Sequence, residues 1–175
     1  KMERYKAYST HLKELYGEKV YKLPVNLPVT CPNRIDGDGC TFCGGVGTGF
    51  EAMNSEVSVS EQLNATKGKI TKRYKAKKFI AYFQNFTNTY DTLENLKEKY
   101  DSALNVSNKI VGISIATRPD CITEDIAKLI ASYSNKYDIS VELGLQTSNN
   151  NIGQIINRSY SSLQFTTAVN ILRKY

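Results

Sequence analysis

The sequence has 175 residues, of which 41% are hydrophobic and 23% are charged, proportions that are ordinary for a globular domain. This length is enough to bury a hydrophobic core. No apolar run approaches the about 20 residues that a helix needs to cross a bilayer, so we expect no membrane-spanning helix. No signal-peptide pattern opens the chain, so we expect a cytoplasmic protein without a membrane partner.

The formal net charge is +6, and much of the excess lies in one basic stripe at residues 67–78. Such a stripe can neutralise phosphates, which makes a nucleic-acid partner plausible. The alternative is a solvated helix face with no partner. The stripe contains Lys67, Lys69, Lys72, Arg73, Lys75, Lys77 and Lys78, with Tyr74 among them.

Helix-like and strand-like segments alternate along the chain. An opening helix carries Tyr5, Tyr8, Leu12 and Leu15. The alternation of apolar residues predicts strands at 25–29, 79–83, 110–116 and 139–145. Periodic apolar faces predict helices at 60–74, 91–104, 123–133 and 163–175, the second capped by Asp91 and the third by Thr123.

Strands that alternate with helices predict βα units around a parallel sheet. On the fourth strand, one face is apolar, whereas the other carries Ser140, Glu142, Gly144 and Gln146. A doubly wound sheet is apolar on both faces. We therefore predict a partial barrel whose concave interior holds a ligand and whose convex face is covered by helices.

Polar residues follow each predicted strand. Gln84 follows the second strand, the run 117–120 (Thr-Arg-Pro-Asp) follows the third, and Gln146 with Thr147 follows the fourth. Functional sites on such barrels are built from the loops at the carboxyl ends of the strands. These segments, with the loop after the first strand, therefore predict one site at that rim.

The loop after the first strand contains Cys31, Cys40 and Cys43 in a C-x8-C-x2-C pattern, with Phe42 before the last thiol. Three thiolates can bind a metal cluster and leave one metal corner free for chemistry. A structural zinc site would need a fourth ligand, for which Cys121 and His11 are the candidates.

The cysteine loop and several later motifs resemble the radical S-adenosylmethionine (SAM) superfamily, and within it the YtqA/YhcC group. That group is related to the Elongator catalytic subunit and more distantly to oxygen-independent coproporphyrinogen oxidase. The resemblance covers nearly all of the chain. Its motifs are the Cys-Pro-Asn-Arg at 31–34, Ala-Tyr-Phe-Gln at 81–84, Ala-Thr-Arg-Pro-Asp-Cys at 116–121, Val-Glu-Leu-Gly-Leu-Gln-Thr at 141–147 and Ile-Asn-Arg at 156–158.

The resemblance implies an α/β fold, a partial TIM-like (β/α) barrel of the radical SAM type, truncated here to about four βα units. Cys31, Cys40 and Cys43 would bind three irons of a [4Fe-4S] cluster, and SAM would take the fourth iron. Reductive cleavage of SAM would yield a 5′-deoxyadenosyl radical that abstracts a hydrogen atom from a substrate. Phe42 would lie near the adenine. The backbone would approach the cluster and SAM closely at four glycines, Gly44, Gly45, Gly47 and Gly49.

The resemblance also implies SAM contacts from Gln146, to the ribose hydroxyls, and from Arg158, to the carboxylate. Glu142 would bind SAM or substrate, or would pair with an interior cation such as Arg118.

The chain departs from the usual pattern at two places. It lacks a Gly-Gly-Glu-like turn after the second strand, so backbone carbonyls, Gln84 or Thr87 would hold the SAM amino group. It has Ala116 where some relatives carry a carboxylate. Thr117, at the end of the third strand, completes the predicted cofactor site.

We expect the chain to be the N-terminal part of a radical SAM core, with a leading helix at 1–20, a first strand and cluster loop at 24–59, and βα units after them. The related enzymes imply a tRNA wobble-uridine side chain as substrate, with the basic stripe as its contact and flavodoxin or ferredoxin as electron donor. The alternatives are a small-molecule substrate, or a non-enzymatic zinc or iron module that binds RNA.

Overall fold

The structure is a computed structural model that describes residues 4–45 and 52–175. Gly47 and Gly49, predicted to approach a cofactor, lie outside the described residues. The strands are β1 Val20–Val25, β2 Lys78–Phe83, β3 Ile110–Thr117 and β4 Asp138–Leu143. The helices are α1 Tyr8–Tyr16, α2 Pro32–Ile35, α3 Val59–Tyr74, α4 Leu93–Asn105, α5 Glu124–Ala131, α6 Asn150–Ile155 and α7 Ser162–Lys174.

The strands form one parallel sheet in the order β1-β2-β3-β4. Its central row pairs Leu23 with Ala81, Ala81 with Ile113, and Ile113 with Ile139. Each strand is joined to the next through at least one helix, as parallel pairing requires. The predicted partial barrel with about four βα units is confirmed.

The main hydrophobic core lies between the sheet and helices α3, α4, α5 and α7. Phe83, Ile113 and Ile115 are fully buried on this face, against Leu96 and Tyr100 of α4. Burying one such side chain contributes about 1.5–3 kcal/mol. This packing makes the sheet a rigid base for the loops that follow its strands.

Within residues 4–45 and 52–175, the helix that covers the opposite, inner face of the sheet is α1, which lies near the amino ends of the strands. There α1 packs Leu12 against Val20 and Ile80. Beside Ile80 and beyond it the inner face is polar, with Lys22 level with Ile80 and Tyr82, Ser114 and Glu142 farther along. The helix therefore leaves the carboxyl end of the inner face open for a site.

Two local predictions are wrong. The first strand is Val20–Val25 rather than 25–29, because β1 pairs with β2 only as far as Val25. Leu27 is buried beyond the strand, so its apolar character reflects core packing rather than strand pairing. The cap of α4 is Thr92, whose side chain accepts from the amide of Asn95, rather than Asp91. The cap of α5 by Thr123 is confirmed.

No helix in the described ranges is both long enough and apolar enough to cross a bilayer.

Candidate functional site

A cavity of about 350 Å³ lies at the carboxyl ends of the strands. Its size is within the usual range for small-molecule sites, about 300–1,000 Å³. Among the described residues that were predicted as cluster ligands or SAM contacts, Arg158 is the one that does not line this cavity. Those that do are Cys31, Cys40, Phe42, Cys43, Gln84, Thr117, Glu142 and Gln146.

The cysteine loop leaves β1 and is shaped by the short helix α2, which begins with Pro32 directly after Cys31. Gly39 has a positive φ of 80°, which favours glycine. Its carbonyl accepts from Asn157 Nδ2 at 2.6 Å, and the amide of Thr41 donates to the carbonyl of Ile156 at 3.1 Å. The loop is thus attached to the segment that follows α6.

The thiols of the loop are free and half-buried. Burial raises the pKa of Cys40, and the hydrogen bond from Asn33 Nδ2 at 3.3 Å to Sγ partly offsets this effect. Arg118 Nη1 donates to Cys31 Sγ at 3.2 Å. Over residues 4–45 and 52–175, no three His, Cys, Asp or Glu side chains are close enough together to hold a single metal ion. In a four-iron cluster, each thiolate binds a separate iron.

Arg118 lies just behind this loop and is 8% exposed. Its guanidinium donates to both carboxylate oxygens of Asp120, at 2.9 and 2.6 Å, and to Ser159 Oγ at 2.7 Å. Burial opposes its charge, but these bonds and that to Cys31 outweigh burial and raise the pKa of Arg118. The pair with Asp120 therefore fixes the turn after β3 and also places a cation beside a thiol.

Glu142 lies on the inner face of β4, and its carboxylate accepts from Ser114 Oγ and from Tyr82 Oη, each at 2.9 Å. It also pairs with Lys22 Nζ. The interior cation is thus Lys22 and not Arg118. Burial opposes ionisation of Glu142, but the bonds from Lys22, Ser114 and Tyr82 outweigh burial and lower the pKa of Glu142. The cavity therefore contains a carboxylate that is ionised at neutral pH.

The turn after β2 also enters the cavity. Phe86 has a positive φ of 58°, a strained conformation that is found often at functional sites. Thr87 is fully buried, and its Oγ1 has no hydrogen-bond partner among the described residues. A buried hydroxyl without a partner next to a cavity fits a polar group of a ligand.

The remaining rim residues come from β3 and the loop after β4. Thr117 Oγ1 is 2.6 Å from Thr89 Oγ1, so its hydroxyl is held in place. Gln146 has a positive φ of 63° and is exposed at the rim. The Tyr160 hydroxyl donates to the carbonyl of Gly144 at 2.8 Å and fixes the same loop.

Arg158 is 4% exposed and is bound by other parts of the chain. It donates to the carbonyls of Leu145 at 2.7 Å, Thr147 at 2.5 Å and Tyr160 at 2.8 Å, and to Asn150 Oδ1 at 3.1 Å. These bonds hold the guanidinium within the segment between β4 and α7. The contact between Arg158 and SAM stays a prediction.

Several residues that shape the site were not among the sequence candidates. Tyr82 and Ser114 were detectable, because they alternate with apolar residues on their strands. Lys22 was missed because the first strand was placed too late. Asn33 lies in the Cys-Pro-Asn-Arg motif, but its contacts could not be predicted from the sequence, because one of its partners, the carbonyl of Asn157, is 124 residues away.

The other cysteine and the histidine lie elsewhere. Cys121 does not line the cavity, and burial raises the pKa of Cys121 to about 12. His11 is exposed on α1, which packs near the amino ends of the strands.

The basic stripe ends far from the cavity. Helix α3 runs back along the sheet, so Tyr74 and Lys78 lie at the amino end of β2. The Nζ atoms of Lys77 and Lys78 form ion pairs with the carboxylate of Glu18, at 3.9 and 3.2 Å. The guanidinium of Arg73 lies over the ring of Tyr74. The later half of the stripe is thus at the opposite edge of the sheet from the cysteine loop.

A parallel partial barrel with an open three-cysteine loop at its strand ends is the architecture of enzymes that bind an iron–sulfur cluster at the mouth of the barrel. The Radical SAM superfamily sequence model matches residues 25–175. The chain therefore belongs to the radical SAM superfamily. Membership implies a [4Fe-4S] cluster and SAM as cofactors.

The chain is similar to two bacterial proteins over nearly all of its length. It is 40% identical to YtqA of Bacillus subtilis (strain 168), a match that covers 99% of this chain and 54% of YtqA. It is 35% identical to YhcC of Escherichia coli (strain K12), over 93% of this chain and 52% of YhcC. The chain thus spans about half the length of these relatives.

Two solved structures share the fold. The archaeal Methanocaldococcus infernus Elp3 superposes with a TM-score of 0.54 at 18% identity, covering 85% of this chain and 34% of Elp3. Escherichia coli coproporphyrinogen III oxidase (HemN), a radical SAM enzyme, superposes with a TM-score of 0.52 at 16% identity, covering 97% of this chain and 38% of HemN.

Proposed function

We propose that this protein cleaves SAM reductively at a [4Fe-4S] cluster in order to abstract a hydrogen atom from a tRNA wobble-uridine side chain. The observation that carries the proposal is the cavity at the strand ends, which three free thiols line together with polar residues from the ends of β2, β3 and β4. The thiols are the donor type that iron–sulfur clusters require.

The residues of the cavity fit both cofactors. Cys31, Cys40 and Cys43 would hold the cluster, and the unpartnered hydroxyl of Thr87 with Gln84 would bind the methionine end of SAM. Gln146 would bind the ribose. Once bound, the cluster and SAM supply a deoxyadenosyl radical, while the protein orients the reactants and excludes water.

Phe42 would cover the adenine, because it lines the cavity and is 47% exposed without a ligand. Glu142 would present a fixed negative charge to a hydrogen-bond donor or cation of SAM or substrate. Its three protein partners leave one acceptor position of the carboxylate for this contact.

The tRNA substrate is supported by the resemblance to the YtqA/YhcC group and by the net charge of +6. The basic stripe would contact a part of the tRNA distant from the reacting nucleotide, because its later half lies at the far edge of the sheet. That separation also favours a second candidate, a small-molecule substrate that enters the cavity without contacting the stripe.

The experiment is anaerobic reconstitution of the full-length protein, followed by incubation with SAM, a reductant and tRNA from a strain that lacks the gene. We expect about four irons per chain, formation of 5′-deoxyadenosine and a changed wobble uridine. If 5′-deoxyadenosine forms and no tRNA nucleoside changes, the tRNA proposal is wrong and a small molecule is favoured. About one zinc per chain, with no iron uptake, would reject the enzyme itself.

Two cysteine variants provide a matched pair. Cys40→Ala removes a thiol that lines the cavity, and we expect it to abolish SAM cleavage while the fold survives. Cys121→Ala removes a thiol that does not line the cavity, so iron content and cleavage should stay close to wild type. Full cleavage by Cys40→Ala would contradict the proposed role of the loop.

A further inference from the structure

Two side chains donate N–H hydrogen bonds to sulfur atoms of the cysteine loop. Asn33 Nδ2 lies 3.3 Å from Cys40 Sγ, and Arg118 Nη1 lies 3.2 Å from Cys31 Sγ. Neither donor lies next to its sulfur in the sequence: Asn33 is seven residues before Cys40, and Arg118 is 87 residues after Cys31. The fold therefore brings these donors to the thiols.

Asn33 is held in the position that this bond requires. It is 9% exposed, and the same Nδ2 donates to the carbonyl of Asn157 at 2.7 Å. An amide nitrogen has two protons, so it can make both bonds at once. The second bond orients the amide so that its other proton points at Cys40.

Arg118 is held equally firmly. Asp120 and Ser159 take two of its nitrogen atoms, and the ring of Tyr160 lies 5.0 Å from the guanidinium carbon. Its remaining nitrogen, Nη1, donates to Cys31. A planar guanidinium with several donors in a rigid fork can satisfy all of these partners together, which a lysine cannot do.

Both donors depend on one segment, residues 156–160, which we call the anchor segment. It supplies the carbonyl that orients Asn33 and the hydroxyl and ring that orient Arg118. It also bonds directly to the loop through Asn157 Nδ2 and the carbonyl of Ile156. Buried Arg158 fixes this segment to the loop after β4.

Hydrogen bonds to the sulfurs and nearby charges are among the features that set the potential of an iron–sulfur cluster. A reduced cluster carries one more negative charge than the oxidised one, and a donor to sulfur stabilises the more negative state. We propose that Asn33 and Arg118 are positioning residues that raise the reduction potential of the cluster through N–H···S hydrogen bonds to Cys40 and Cys31. This inference rests on the proposed function, because it requires the cluster to assemble on these thiols.

The first test uses a pair of neutral substitutions. Asn33→Ala removes the donor to Cys40 and changes no charge. Its control, Asn157→Gly, removes a side chain that bonds to the loop but not to sulfur, keeps the carbonyl that Asn33 uses, and suits the positive φ of 54° at that position.

The second pair conserves charge. Arg118→Lys keeps the cation but loses the fork that reaches Cys31 while holding Asp120. Its control is Arg34→Lys, because Arg34 donates to the carbonyls of Cys43 and Gly44, at 3.0 and 2.6 Å, rather than to a sulfur.

The measurement is an anaerobic redox titration of the reconstituted full-length protein, followed by the electron paramagnetic resonance signal of the reduced cluster. At a fixed solution potential, we expect Asn33→Ala and Arg118→Lys each to lower the ratio of reduced to oxidised cluster about tenfold relative to their controls. This change corresponds to a reduction potential of the cluster that is about 59 mV more negative. Resonance Raman spectra should show weaker deuterium sensitivity of the iron–thiolate stretches in the same two variants.

The outcomes separate the two ideas. If the wild-type protein assembles no four-iron cluster, the proposed function is wrong. If the cluster assembles and both variants keep the potential of their controls, the positioning inference is wrong although the function stands. If one variant fails to fold, the other pair decides the question alone.

Discussion

Arg158 has two possible roles, one in binding SAM and one in stabilising the fold, and they predict different effects of the same substitution. The resemblance predicts a contact with the SAM carboxylate, whereas the structure buries the guanidinium to 4% exposure and gives it four hydrogen bonds within the chain. If these bonds describe its function, Arg158→Met will destabilise the protein even when no SAM is present. If the SAM contact is its main role, stability will change little.

The expected magnitude follows from the bonds. Three of the four acceptors are main-chain carbonyls of the loop between β4 and α7. Removing the cation leaves these carbonyls without their donor, and each buried acceptor left unsatisfied costs about 1–3 kcal/mol, so we expect a loss of about 4 kcal/mol. For a chain of this length, about 4 kcal/mol corresponds to a fall in Tm on the order of 10 °C.

The assay is urea and thermal unfolding of the cofactor-free protein, followed by circular dichroism. The control is Arg173→Met on α7, where the arginine is exposed, and we expect a change below about 0.5 kcal/mol there. If Arg158→Met unfolds within about 1 kcal/mol of wild type but no longer binds SAM, the structural explanation is refuted.

Three further predictions follow from other contacts. Gly153→Ala should destabilise the protein by about 1–3 kcal/mol in urea unfolding, because the new Cβ would lie 2.8 Å from Arg158 Nη2. The control is Gly68→Ala on α3, where the new Cβ would have no atom within 4 Å, so this variant should be as stable as wild type or more stable. Carbon-detected NMR titration should find the carboxyl of Glu142 ionised from pH 5 to 8, with a pKa below its ordinary value. The Lys22→Met variant should raise that pKa. Because the folded pKa is the lower one, the stabilisation from this carboxylate is present at neutral pH and is lost as the pH falls through the folded pKa. Tyr100→Phe should cost about 1–3 kcal/mol in the same unfolding assay, because the buried hydroxyl donates to the carbonyl of Asn88 at 2.7 Å.

The sequence was sufficient for those features that depend on local periodicity. Alternation on β3 and β4 predicted the sheet faces, and the residues directly after the strands met in one cavity because parallel strands end at one edge. The structure differs from the prediction where the same alternation of apolar residues can arise either from a strand or from packing in the core. Leu27 and Val29 alternate with Val25, but they pack beyond the end of β1.

Contacts between distant segments were not predictable from such patterns. Asn33 and Arg118 lie in motifs that were identified, yet their bonds to Cys40 and Cys31 depend on the position of the anchor segment late in the chain. Arg158 is a second example. The resemblance implied that Arg158 contacts SAM, whereas its burial among main-chain carbonyls could be learned only from the fold.

The departure at Ala116 is explained by strand register. Ala116 on β3 is paired with Glu142 on β4, so the two side chains lie side by side on the inner face. Both line the cavity, and the carboxylate of Glu142 is held there by Tyr82 and Ser114. A methyl group at 116 takes little space beside that carboxylate, whereas a second carboxylate there would oppose its ionisation. Among the described residues that line the cavity, the carboxylate is therefore on β4, one strand away from the position that the resemblance suggested.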